Sequence, residues 1–248
     1  MKRLVLFGLL AAFFSSCKKD KAPADTISAF KKNLISVSAP GQSEWTMFYA
    51  NDRKLLSFKN NEMSISYKPG IPFSAKKTAL GSVSEYKNAV QDAQGRVTKL
   101  ERYKSGALIS KQEFKYNAEG YLIEQTISLT SSNTFEKSVY DYQNGNLTSI
   151  SLYIGGIKMG SFVFDYYTNL SNPIQFDLFD FKRIEFVTDA QFGKQSKNLL
   201  KNVKLYDASG QHFVELNLSY ATDAEGYIKT MIYSLNGQGT ITYTFSFQ

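Results

Sequence analysis

The chain has 248 residues and a formal net charge of +7, with aromatic residues making up 15% of it. One cysteine and one histidine exclude a disulfide framework and any site built from several thiols or imidazoles. No basic run exceeds two residues, so the positive charge is too dispersed for a nucleic-acid interface, which needs a concentrated patch.

Lys2 and Arg3 precede an uncharged run from Leu4 to Phe14. Eleven apolar-rich residues suit a signal-peptide core and fall short of the roughly 20 needed to span a bilayer. The run closes with Phe14-Ser15-Ser16-Cys17, small residues before a thiol that can accept diacylglycerol. The reading is a signal peptide over 1–16, a lipid on Cys17, a polar tether over 17–25 and one domain over 26–248. Without the leader, 27 basic residues face 22 acidic ones. Lys18 at the second position carries no inner-membrane retention signal, and Lys18-Lys19-Asp20 resembles the start of a surface-export tether of Bacteroidota lipoproteins. The chain is thus expected on the outer membrane of a Gram-negative bacterium, attached through the lipid.

Thr26–Leu34 fits a short helix or a first strand. Period-two patterns and β-favouring residues then predict strands over Glu44–Tyr49, Lys54–Phe58 and Glu62–Tyr67. Further on, Phe162, Phe164 and Tyr166 form an apolar row, as do Val214, Leu216, Leu218 and Tyr220. Ile241, Tyr243, Phe245 and Phe247 face away from Thr240, Thr242, Thr244 and Ser246.

Four tetrapeptides share the form Asp/Asn-Ala-x-Gly: Asp92–Gly95, Asn117–Gly120, Asp207–Gly210 and Asp223–Gly226. Each suits a type I turn closed by a glycine bulge. The first side chain hydrogen-bonds the turn backbone, and the glycine takes positive φ. Gly95, Gly120 and Gly145 recur every 25 residues, with second turns at Lys104–Ala107 and Gly155-Gly156. One period is therefore turn, strand, turn, strand. Val97–Tyr103 places Lys99 and Glu101 on one face and Arg102 on the other, which suggests a sheet wetted on both faces.

The turns preceded by tyrosine, at Tyr116 and Tyr206, with Tyr220 at a little distance, resemble the tyrosine–aspartate repeats of secreted bacterial proteins. Phe192–Val203 (FGKQSKNLLKNV), Tyr206-Asp207, Asn172-Pro173-Ile174 and the closing TITYTFSF resemble an uncharacterised family of Bacteroidota lipoproteins. The likeness is best from about Gly81 to Gln248, with Leu200 where that family has proline. The resemblance implies a porin-like fold and an envelope location. It implies no catalytic residue.

The remaining chemistry is sparse. His212 follows a turn glycine and reads as an exposed strand residue. Asp177, Asp180 and Glu185 lie in the aromatic stretch Phe176–Phe186, where a carboxylate pair for glycoside hydrolysis would be sought; alternation along a strand explains them more simply. Each Asp/Asn-x-x-Gly turn offers one or two acids where Ca²⁺ wants six to eight oxygens, so capping is the expected role. Trp45, Phe48 and Tyr49 form a candidate sugar-stacking platform, although Trp45, Met47 and Tyr49 alternate as a core row would. No metal, cofactor or catalytic residue is expected. The fold expectation is all-β, a long twisted antiparallel meander of hairpins curled toward a barrel. The functional expectation is a non-enzymatic binding or structural module for a glycan, peptide or protein partner. A membrane-spanning barrel and an unrecognised hydrolase are the alternatives.

Overall fold

A computed structural model describes residues 31–51, 53–68, 73–132, 134–174 and 190–248. The signal peptide, Cys17, the tether and the Phe176–Phe186 stretch lie outside the described residues.

The first five strands are short: β1 Leu34–Ser38, β2 Trp45–Tyr49, β3 Leu55–Lys59, β4 Met63–Lys68 and β5 Ser74–Ala79. The repeat region supplies β6 Ser82–Gln91, β7 Val97–Lys104, β8 Ala107–Tyr116, β9 Leu122–Leu129, β10 Phe135–Gln143 and β11 Asn146–Ile154. After them come β12 Ile157–Ser171, β13 Asn198–Asp207, β14 His212–Thr222, β15 Ile228–Leu235 and β16 Gln238–Phe247. Each strand pairs antiparallel with its neighbour in sequence, and β1 pairs with β16 to close a barrel of 16 strands. The meander does curl, and it closes completely. Closure removes the two free edges that an open sheet would expose to edge pairing. Thr26–Leu34 is described only from Lys31: three irregular residues, then β1.

Closure happens within residues 33–248. Asn33 and Gln248 exchange two backbone hydrogen bonds of 2.7 and 2.9 Å beside the β1–β16 seam. Among the described residues, 33–248 contain every strand and ladder of the barrel.

The turns explain the register. In all four Asp/Asn-Ala-x-Gly turns the glycine N–H donates to the carbonyl of the first residue, and that residue's N–H donates to the carbonyl four positions on. The side-chain oxygens of Asp92, Asn117, Asp207 and Asp223 each accept the N–H of Arg96, Tyr121, Gln211 or Tyr227 at 2.9 Å. Gly95, Gly120, Gly210 and Gly226 have φ between 80° and 94°, where a Cβ is strained. Three of these turns sit at one end of the barrel, while Asp207–Gly210 sits at the other.

Residues 191–197, which lead into β13, lie along that first end as a strap. Lys194 N–H donates to the Gly120 carbonyl and Lys197 N–H to that of Gly145, each at 3.0 Å. Glycines one repeat apart in sequence thus hold one strap. Gly193 (φ 86°) lets the strap lie this close, because a Cβ there would sit 2.9 Å from the Gly120 carbonyl oxygen. Phe192 drops from the strap into the barrel and meets Phe73 and Phe114 edge-on, both at 5.2 Å between centroids.

Candidate functional site

The barrel wall buries an apolar cluster on its inner face and carries charged pairs on its outer one. On β7 and β8, Lys99, Glu101, Lys111, Glu113 and Lys115 point outward, and Lys99 and Glu113 are cross-strand partners 3.2 Å apart. Glu124 on β9 bridges Lys115 at 2.7 Å and Lys137 at 2.6 Å. Hydrogen bonds from both lysines hold its carboxyl below the usual carboxylate range, against the opposing pull of burial. Inward go Leu100, Phe114, Ile150, Phe164, Val203, Leu216, Met231 and Phe245, all members of one continuous buried cluster.

β7 is therefore buried on one side, contrary to the two-faced wetting its charges suggested. Two local events produced that pattern. An irregularity in the β6–β7 ladder at Val90/Gln91 lets Val97 turn inward to full burial. Arg102 also faces inward, and it does so with partners.

Its guanidinium lies 5.5 Å from the Tyr86 ring centroid, and Nη2 donates to Ser84 Oγ at 3.3 Å. The Arg102 Nε–H is buried and has no hydrogen-bond partner among the described residues. Directly across the ladder is Ser110. The polar row continues around the wall through Gln112, Gln125, Ser138 and Tyr140, all buried. Gln125 Nε2 donates to Gln112 Oε1 at 3.4 Å, and the Tyr140 hydroxyl donates to Gln125 Oε1 at 3.2 Å. Five neighbouring strands, β6 to β10, thus carry a polar belt inside an apolar barrel. Sequence reading missed these residues; their only signal is period-two alternation with Leu100 and Phe114.

The two ends differ. At the strapped end, strands begin on or next to fully buried residues: Val97, Leu122, Leu147 and Ile228 are at most 2% exposed. Toward the other end the inner face opens stepwise. Along β7 the series is buried Leu100, half-buried Arg102, exposed Lys104. Along β11 it is buried Ile150, half-buried Leu152, exposed Ile154. Along β15 it is buried Met231, half-buried Tyr233, exposed Leu235. The inner-facing residues are thus buried at the strapped end and exposed at the rim of the other.

The residues marked out by sequence are scattered around the barrel. Trp45 and Tyr49 face the core, with Trp45 5.1 Å from Phe58. Phe48 lies on the outer face, exposed, under the Lys59 ammonium. The three rings do not share one surface. His212 is exposed at the start of β14, its Nε2 3.0 Å from the Val214 carbonyl oxygen. Among the described residues no group of three or more His, Cys, Asp or Glu side chains could hold a metal ion.

No family model matches the chain, and no curated protein does. Solved structures do. A porin-like protein from Bacteroides uniformis ATCC 8492 superposes with a TM-score of 0.67 at 16% identity, covering 88% of this chain and 98% of that one. A porin-like protein from Bacteroides vulgatus ATCC 8482 gives a TM-score of 0.60 at 12% identity, covering 88% and 99%. The chain has the fold of these porin-like barrels.

Proposed function

We propose that the chain is a lipid-tethered barrel of the cell envelope whose wall faces water, and that it serves as a non-enzymatic binding or structural module. The polarity of the wall carries this reading. A spanning barrel turns an apolar band about 25 Å tall toward lipid and keeps polar residues inside; here Lys99, Glu101, Lys111, Glu113, Lys115, Glu124 and Lys137 are outside, and Phe114, Phe164 and Phe245 inside. Each outward lysine near the midplane of a bilayer would cost about 2–4 kcal/mol. Strand length points the same way. β1, β2 and β3 have five residues and β4 and β5 six, where a crossing strand needs about 9–11.

The described chain enters the barrel at the strapped end. The N–H groups of Lys31 and Lys32 donate to the Tyr227 hydroxyl at 2.7 and 2.8 Å, and Lys32 pairs with Glu225 at 2.8 Å. A lipid on Cys17 would hold that end toward the membrane and leave the opposite end facing away.

The second reading is a spanning barrel, favoured by one observation: a closed meander with an even number of strands is the outer-membrane architecture. Cell fractionation separates the two. Wild-type protein should remain in the membrane fraction after alkaline wash and incorporate labelled lipid. Cys17→Ser should lose the label and move to the soluble fraction. A Cys17→Ser protein that stays in the washed membrane would favour the spanning barrel.

A further inference from the structure

We infer that the corner of the barrel where the described chain enters is a contact site for an anionic lipid surface, whose phosphate head groups meet Lys31, Lys68 and Lys229. The inference rests on the water-facing, lipid-tethered barrel proposed above, and it adds a second, electrostatic hold to the tether.

The argument starts from charge, which is dispersed along the sequence and gathered by the barrel. Residues 31–79 and 228–248 supply the seven neighbouring strands β15, β16 and β1 to β5, and contain nine Lys and Arg residues against three acids. Residues 80–227 contain fifteen against seventeen. None of the seven strands carries Asp or Glu; Glu44, Asp52 and Glu62 fall between them. Elsewhere the wall pairs its carboxylates with its own cations: Glu85 with Lys87, Glu113 with Lys99, and Glu124 with both Lys115 and Lys137. That pairing disfavours a second copy of the chain as the occupant of the basic side.

Position sets the partner. Lys31 leads into β1, Lys68 ends β4 and Lys229 is the second residue of β15, so all three stand at the strapped end, exposed. They form no ion pair among the described residues. From β15 to β4 is five strand spacings, or about 24 Å of wall. The backbone between them is clamped. The Tyr227 hydroxyl accepts the Lys31 and Lys32 N–H groups, and Arg53 donates to the Lys32 carbonyl at 3.3 Å and to Asn33 Oδ1 at 3.0 Å. Phe48 and Leu56, 43% and 39% exposed, lie on β2 and β3 of the same wall. Apolar side chains beside ammonium groups suit the boundary between head groups and acyl chains. Cys17 precedes Lys31 by fourteen residues, at most about 50 Å of chain, so a lipid there keeps this corner within reach of the head groups.

The test uses the Cys17→Ser protein, the full chain without its lipid, sedimented with vesicles of equal parts phosphatidylcholine and phosphatidylglycerol. Fractionation is read first and belongs to the preceding proposal. A chain that stays in the alkaline-washed membrane overturns both readings; a soluble chain that fails to bind the anionic vesicles overturns this one alone. The expected result is binding at about 0.1 M salt, loss of binding at about 1 M, where the Debye length falls to about 3 Å, and none to pure phosphatidylcholine. Each lysine at an anionic surface is worth about 5-fold in partition, so the triple variant Lys31→Gln, Lys68→Gln, Lys229→Gln should bind about 100-fold more weakly. The triple variant Lys99→Gln, Lys111→Gln, Lys158→Gln removes the same net charge beyond a Debye length from the corner and should change binding less than about 3-fold. All six lysines are exposed, so neither variant loses buried contacts. Equal binding to phosphatidylcholine, insensitivity to salt, or equal loss in the two variants overturns the proposal. Binding to heparin without binding to the vesicles overturns it too, and assigns the corner to a soluble polyanion.

Discussion

Phe192 and Phe213 are both phenylalanines of the second half of the chain, and their environments are opposite. Phe192 is 1% exposed between two other rings, while Phe213 is 55% exposed on the outer wall. Truncating a buried phenylalanine removes its transfer free energy and leaves a cavity, together about 3–5 kcal/mol. Phe192→Ala should therefore lower the unfolding free energy by about that amount in urea titrations, and Phe213→Ala by less than about 0.5 kcal/mol. Equal effects would mean that the strap does not hold the core. Backbone conformation decides a second comparison. Gly120 has φ 94°, so Gly120→Val should cost about 1–3 kcal/mol in strain, more than Ala118→Val in the same turn. Coincident melting curves for those two variants would contradict the turn geometry.

At the scale of elements, the outer wall is stitched by cross-strand charges, and these make stability depend on acid. Hydrogen bonds from Asn88 and Tyr103 hold the Glu101 carboxyl below the usual range, as Ser209 and the Gln211 N–H do for Asp207. Burial would raise the Asp92 carboxyl, and the Arg96 side chain and backbone outweigh it. A carboxyl depressed in the folded state stabilises the fold above the unfolded value, about pH 4, and that contribution is lost as pH falls through the folded value. The melting temperature should hold from pH 7 to about 5 and decline below about 4. Glu124→Gln should make the decline shallower, because it removes the carboxylate shared by Lys115 and Lys137. A decline as steep in Glu124→Gln as in the wild type would contradict a role for that pair of bridges.

The elements also show how far the sequence could be read. The turns were legible because their chemistry is local: a side-chain oxygen and a glycine three residues apart define each without reference to the rest. Strands with one apolar row, such as β14 and β16, were legible for the same reason. The inward Arg102 was not, since period-two alternation says which residues share a face and not which face is the inside. The irregularity that turns Val97 inward depends on β6, and the strap depends on turns 25 residues apart; neither is visible in any short window. The platform of Trp45, Phe48 and Tyr49 failed on parity alone, because adjacent strand residues point oppositely.

For the whole molecule, the decisive property is which side of the wall meets water. Sixteen strands can close around a polar lumen or around a packed interior, and the backbone topology is the same in both cases. The side chains choose between them, and here the continuous apolar cluster is inside. The most direct measurement is size-exclusion chromatography with light scattering on residues 26–248, expressed without signal peptide or lipid and kept free of detergent. The water-facing barrel predicts a monodisperse monomer with a β-type circular dichroism spectrum. Aggregation relieved only by detergent, with ion conductance when that material is added to planar bilayers, would contradict it.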